Sequence, residues 1–157
     1  MKFVRIELSP RSGERPRTST DGAHAQLSDQ SSPELWGRLV ARVFALPGVS
    51  EVHSQVSPAS SRAVMLDDLR TARHPSTSLS YADPVEPVHL HGVHDTSVHL
   101  CLPPDIVGQV IDAGWGELHP YGDHGTEMMV YGPRDEAEVE VVLSLVEASI
   151  AFARGTS

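Results

Sequence analysis

The sequence predicts an α+β domain: an antiparallel sheet with about three helices packed mainly on one face. Three observations lead there. Apolar residues recur at helical spacing in three separate stretches, and they alternate with histidines in a central hairpin. The strand-like stretches also follow one another along the chain, which favours antiparallel neighbours over parallel crossover units. At 157 residues the chain can build one core and is too short to argue for two.

Val4, Ile6 and Leu8 alternate with Arg5 and Glu7, which reads as a short strand. The stretch SPRSGERPRTSTDGAHAQLSDQSSP that follows offers almost nothing apolar to bury, so residues 1–31 read as a short strand and a flexible linker, and residues 32–157 as the domain. Ser32 before Pro33 is a helix start, and Leu35, Trp36, Leu39, Val40 and Val43 carry that helix to about residue 46, where Pro47 and Gly48 stop it. Residues 49–56 and 61–67 read as strands and the polar residues 70–80 as a loop. In PVHLH and SVHLCL, Val88, Leu90, Val98, Leu100 and Leu102 alternate with His89, His91, His99 and Cys101, giving a hairpin with an apolar face and a histidine face. Pro103 and Pro104 end it and open a helix striped by Ile106, Val107, Val110 and Ile111, with Gly114 placed as its cap. GELHP and MMVYGP give two more short strands. From Asp135 to about Arg154 the spacing of Val139, Val142, Leu143, Val146 and Ile150 predicts a long amphipathic helix, acidic at its start and ended by Gly155.

Twelve Lys and Arg against 21 Asp and Glu give a net charge of -9, which argues against nucleic acid as a partner. No apolar run is long enough for a membrane span, MKFVRIEL lacks the apolar core of a secretory signal, and a single cysteine excludes an intrachain disulfide, so a cytoplasmic protein is expected. There is no phosphate-cradling glycine loop, hence no flavin or nicotinamide signature, and no GxSxG elbow or CxxC pair. Cys101 reads first as a structural thiol, with a nucleophile beside His89 or His99 as the lesser alternative.

Four of the nine histidines, His89, His91, His94 and His99, fall within eleven positions. Residues two apart on a strand share a face, so His89 and His91 do. If GVHDT is the loop, His89 lies opposite His99 and three imidazoles converge; a two-residue or four-residue loop turns His99 away. His94 falls at the tip. Three convergent histidines are the ligand set of a catalytic zinc or non-haem iron site, with His119 as a candidate fourth. The same residues also read as a wet polar face, and the sequence leaves both readings open.

From this hairpin onward the text EPVHLH, SVHLCLPPDIVGQVIDAGWGELHP and MVYGPRDEAEVEVVLSLVEASIAFA resembles the luciferase-domain family, the domain of fungal luciferase that also occurs in small actinobacterial proteins. The resemblance covers roughly residues 33–154 and is sharpest over 86–152. It places the family's recurring polar positions on His89, His91, His99, Trp115, Glu117, His119, Pro120, Tyr131 and Arg134. It implies His89, His91, His99 and His119 as catalytic, and Trp115, Glu117, Tyr131 and Arg134 as substrate-binding. For the fungal members it implies oxygen-dependent oxidation of a hydroxylated pyrone without a flavin. The functions in competition are therefore a small oxygenase acting on an electron-rich aromatic or enol, a non-catalytic module for a metal or small ligand, and an acidic interaction protein.

Overall fold

The computed structural model describes residues 6–58 and 60–156. The elements run α1 (Pro33–Phe44), β1 (Val49–His53), β2 (Arg62–Leu66), β3 (Val88–Gly92), β4 (Asp95–Cys101), α2 (Pro104–Asp112), β5 (Gly116–Leu118), β6 (Glu127–Val130) and α3 (Glu136–Arg154). The six strands form one sheet in the order β1-β2-β3-β4-β6-β5, with every neighbouring pair antiparallel. The α+β class read from the sequence is therefore the class of the fold. Among the described residues no helix is long and apolar enough to cross a membrane.

The helix boundaries follow from local chemistry. Ser32 Oγ accepts from the Leu35 N–H and Asp135 Oδ1 from the Glu138 N–H, so each side chain satisfies a donor that the first helical turn leaves free. Gly155, at φ 73°, adopts the left-handed conformation that ends α3. Helix α1 ends at Phe44, two residues before the expected boundary, and Gly48 at φ 72° turns the chain into β1.

The core lies between the helices and one face of the sheet. Val88 and Leu90 of β3, Val98 and Leu100 of β4, and Met128 and Val130 of β6 point into it and meet Leu39 and Val43 of α1, Val110 of α2, and Val142, Leu145 and Val146 of α3. All of these are fully buried.

The other face is covered by the segment that reads as a linker. Residues 9–31 are not a linker: they run as a strap across the sheet and the α2–β5 end, held by hydrogen bonds rather than apolar contact. The Arg11 N–H donates to Ala113 O, Trp115 Nε1 to Ser9 O, Arg15 to Ile111 O and Gly116 O, and the buried Gly132 N–H to Gln26 Oε1. Its buried residues are Arg11, Pro16, His24, Gln26 and Ser31, four of them polar, which is why a search for apolar periodicity passes over it. Gly132 is a point of close approach between strap and sheet, since a Cβ there would lie 2.4 Å from Thr96 O and 2.8 Å from Ser31 Oγ. The strand expected over residues 4–8 lies partly outside the described residues; Ile6 and Leu8 belong to no strand and rest partly buried against the core.

Two outcomes follow. Leu100→Ala should cost about 2–5 kcal/mol through lost burial and the cavity left behind, measured by urea unfolding. Deleting residues 1–31 should lower the thermal midpoint by roughly 5 °C or more, equivalent to about 1–2 kcal/mol in a domain of this size. An unchanged midpoint would show that the strap contributes nothing to stability.

Candidate functional site

The hairpin reaches the expected face by an unexpected route. The loop is not GVHDT: Gly92 pairs with Asp95, so the turn has two residues, Val93 and His94. A turn of that length should send His99 to the helix side. A β-bulge prevents this, because three residue steps on β4, from Asp95 to Val98, face two on β3, from Gly92 to Leu90. Register is thereby restored at Leu90↔Val98, and His89 stands directly opposite His99. The strap serves the bulge, since Gln30 Oε1 accepts from both the N–H and the hydroxyl of Thr96.

His99 is the centre of a layer of five imidazoles. Its ring centroid lies 4.5 Å from that of His91, 5.1 Å from His89, 5.5 Å from His24 and 6.0 Å from His119. His89, His91 and His99 form a triangle, with His89 stacked on both of the others and His91 tilted 34° to His99, whereas His24 meets both His99 and His119 edge-on. The sheet leaves room for them: the neighbours across the register on this face are Ala63 opposite His89 and Met129 opposite His99. His24, His89 and His99 are buried, and His91 and His119 reach the boundary with solvent. His94 is exposed at the turn tip, as expected.

Carboxylates hold the rings from outside. His89 Nδ1 is 2.8 Å from Glu86 Oε2, and that buried carboxylate also accepts from Ser54 Oγ and the Gln55 N–H. His91 Nδ1 is 2.6 Å from Asp95 Oδ2, while Asp95 Oδ1 accepts from Ser97 and from the strap's Gln26 N–H. His24 Nε2 is 2.9 Å from Glu117 Oε2. His119 Nδ1 accepts from the Tyr121 N–H, and its Nε2 lies 3.8 Å from Glu127 Oε1. Two buried nitrogens, His99 Nε2 and His24 Nδ1, have no hydrogen-bond partner.

Burial, reinforced by the four imidazoles around it, holds His99 well below the ordinary histidine value; burial also lowers His89, against the pull of Glu86, and His119. Burial would raise Glu86 and Asp95, but hydrogen bonds from His89 and His91 and from their other donors outweigh it, so both end below the usual carboxylate range. Glu127, buried and next to Asp123, is pushed up to about 7. Cys101 is a buried thiol raised by desolvation, so the structural reading of it holds.

The expected site residues thus divide. His89, His91, His99 and His119 converge. Glu117 borders the layer, but its carboxylate is occupied by His24, Thr18 and the Tyr131 hydroxyl. Trp115 is part of the core, and Arg134 is engaged with Glu138 and with Ser12 of the strap. No hydrogen bond or ring contact joins Trp115 or Arg134 to the imidazoles. His24 was not anticipated: it is an isolated histidine in a polar stretch, and only the path of the strap brings it in.

Fold and site together define a small α+β domain whose candidate chemistry sits on the sheet face turned away from the helices. Residues 85–149 match the family model described as Luciferase domain, and over that stretch the chain is similar to that family. The match spans β3 to α3 and so includes four of the five imidazoles, His24 excepted. The chain is 30% identical over 165 residues to a luciferase of Armillaria gallica, covering 93% of this chain and 61% of that protein. With a luciferase of Neonothopanus nambi it shares 29% identity over 136 residues, 83% of this chain and 50% of that protein. It therefore spans about half to three fifths of the length of these relatives. No solved structure matches it.

The charge state of the layer predicts a stability profile, to be measured with a chelator present so that only protons exchange. His89, His99 and His119 take up protons less readily folded than unfolded, so their contribution is complete above the unfolded value near 6.5 and is lost as pH falls through it. Glu127, raised to about 7, acts in the opposite sense but is one group against three. The unfolding free energy should therefore fall between pH 7 and about 5; a flat profile would mean that the imidazoles are not buried in solution.

Proposed function

We propose that this chain is a luciferase-like, flavin-independent oxygenase acting on a hydroxylated aromatic or pyrone-like small molecule, with the imidazole layer as its reaction centre. The observation that carries the reading is the convergence of five histidines with no Lys or Arg among them in the described residues. A neutral imidazole accepts a proton on its unprotonated nitrogen, and of the two rings at the solvent boundary, His91 and His119, we take His119 as the base; its unprotonated nitrogen is Nδ1, which must release the Tyr121 N–H to take the proton. Taking the substrate's hydroxyl proton leaves an electron-rich anion. The anion passes one electron to dioxygen, and the resulting radicals combine to form a carbon–oxygen bond. The peroxide so formed takes back the proton from the imidazolium. Atoms and electrons balance with dioxygen as the sole oxidant. The Glu127 carboxyl, 3.8 Å from His119 Nε2, would relay that proton after a small movement of either side chain, and Glu117 with Tyr131 holds His24 as the inner wall.

A second reading, a module that holds a small ligand without turnover, is favoured by the strap, which carries His24 inward and leaves its side chain 1% exposed.

Oxygen uptake with hydroxylated pyrones and catechols tests both. His119→Ala is the informative variant, because His99 is only 3% exposed and its truncation disturbs the fold as well as the site. His119→Ala should lower kcat/KM by about 10²–10⁴, the usual contribution of a general base, with little change in thermal midpoint. Uptake equal to that of the parent would remove His119 from the mechanism. Ligand binding without any uptake by the parent would favour the second reading.

A further inference from the structure

The deep half of the layer carries more than the proton chemistry above needs. Glu86 and Asp95 are carboxylates that can only accept, so Nδ1 of His89 and Nδ1 of His91 must donate to them. Each neutral ring then carries its lone pair on Nε2. The buried Nε2 of His99 has no hydrogen-bond partner. One ring nitrogen from each of the three lies within 4.8 Å of the others. Three nitrogens therefore converge in a space almost closed to water, and His89 and His91 have no hydrogen left to offer His99. A buried polar atom left in this way costs about 1–3 kcal/mol unless something supplies the missing positive charge.

We infer that His89, His91 and His99 form a binding site for one divalent first-row transition metal ion, with Glu86 and Asp95 as the groups that orient and charge-balance it. The chemistry of the donor set fits: imidazole nitrogen suits zinc, iron, cobalt, nickel and copper, and three protein ligands leave a position open. Histidine ligands that pass their second N–H to a carboxylate are the usual arrangement around such ions, fixing the tautomer and raising ligand basicity. Two carboxylates beside three neutral ligands also offset the ion's two charges. Bonds of 2.0–2.1 Å in a tetrahedral site place ligand nitrogens about 3.3 Å apart, so binding would draw the rings together from their present spacing. The open position faces the His91 side, the more exposed edge of the trio. A second trio, His24, His99 and His119, also has nitrogens within 4.8 Å, but His24 gives Nε2 to Glu117 and no carboxylate lies within hydrogen-bond distance of His119. The first trio alone has both strand-borne rings pre-set.

The site stands apart from the oxygenase reading, and so does its test, which needs no substrate. Protein purified without a histidine tag is stripped with chelator and titrated with Co²⁺ or Zn²⁺ alone, followed by calorimetry and by visible absorption of Co²⁺. One equivalent per chain is expected, with the absorption of a four- or five-coordinate centre. His91→Ala should abolish binding, Glu86→Gln should weaken it about 10–100-fold, and His24→Ala should retain it. Circular dichroism reports whether each variant folds, and His91→Gln replaces His91→Ala if that one does not. Failure of the stripped parent to bind at micromolar metal overturns the inference, as does undiminished binding by the His91 variants. Loss of binding in His24→Ala but not in the His91 variants overturns it too, by moving the ion to the other trio. Oxygen uptake by stripped protein lacking metal would leave the proposed activity standing without this site.

Discussion

A two-residue turn and a face-to-face pair of histidines at His89 and His99 are incompatible in a regular hairpin, because each one-residue slip in register sends every later side chain to the opposite face. The bulge in β4 is what reconciles them. It adds one residue between the turn and Val98, so the apolar residues of both strands return to the helix side and the histidines to the other. Without it, β4 would present His99 and Cys101 to α3 and expose Val98 and Leu100. The bulge therefore determines the core as much as the candidate site.

A bulge leaves backbone groups unpaired, and a sheet face lined with imidazoles leaves side-chain nitrogens to be satisfied. The strap answers both needs. Gln30 takes the Thr96 N–H, Gln26 takes the Gly132 N–H and gives its own N–H to Asp95, and Ser31 donates to Thr96 Oγ1. Amide side chains suit this role because each both donates and accepts. An apolar strap would have buried the same area and left these donors stranded.

What the sequence made legible follows from which interactions are periodic. Leu39, Val43, Leu100, Val142 and Val146 lie on stripes of period 3.6 or 2, and the three helices and the sheet were readable from them. The shared face of His89, His91 and His99 was readable from the same alternation, although the loop used to argue it was not the loop that forms. Nothing in Val93 and His94 announces a bulge, since its cause lies in hydrogen bonds from residues more than sixty positions earlier. His24 was illegible for the same reason. The strap has no apolar period, and its binding rests on single side-chain bonds to backbone, which leave no pattern along the chain. Arg134 and Trp115 were expected to bind substrate, and the contacts made by each of them are with the strap and the core.

The separation of the two faces has a consequence for how much the site can be altered. Stability rests on the helix face, where Leu100, Val98 and Val130 are fully enclosed by aliphatic neighbours. The histidine face contributes little apolar burial and holds buried groups whose charged forms are disfavoured, so it draws on stability generated elsewhere. His99 cannot take a proton without placing a charge among four other imidazoles, and it has no acid beside it to compensate. His89 and His91 do have acids, and these two acids accept the only hydrogens that each ring, when neutral, can give. The layer is therefore built to keep ring nitrogens unprotonated at its centre while negative charge stays at its rim. Such a centre suits an electron-pair acceptor such as a metal ion, while the rings at its solvent boundary are the ones open to a proton from an acidic hydroxyl.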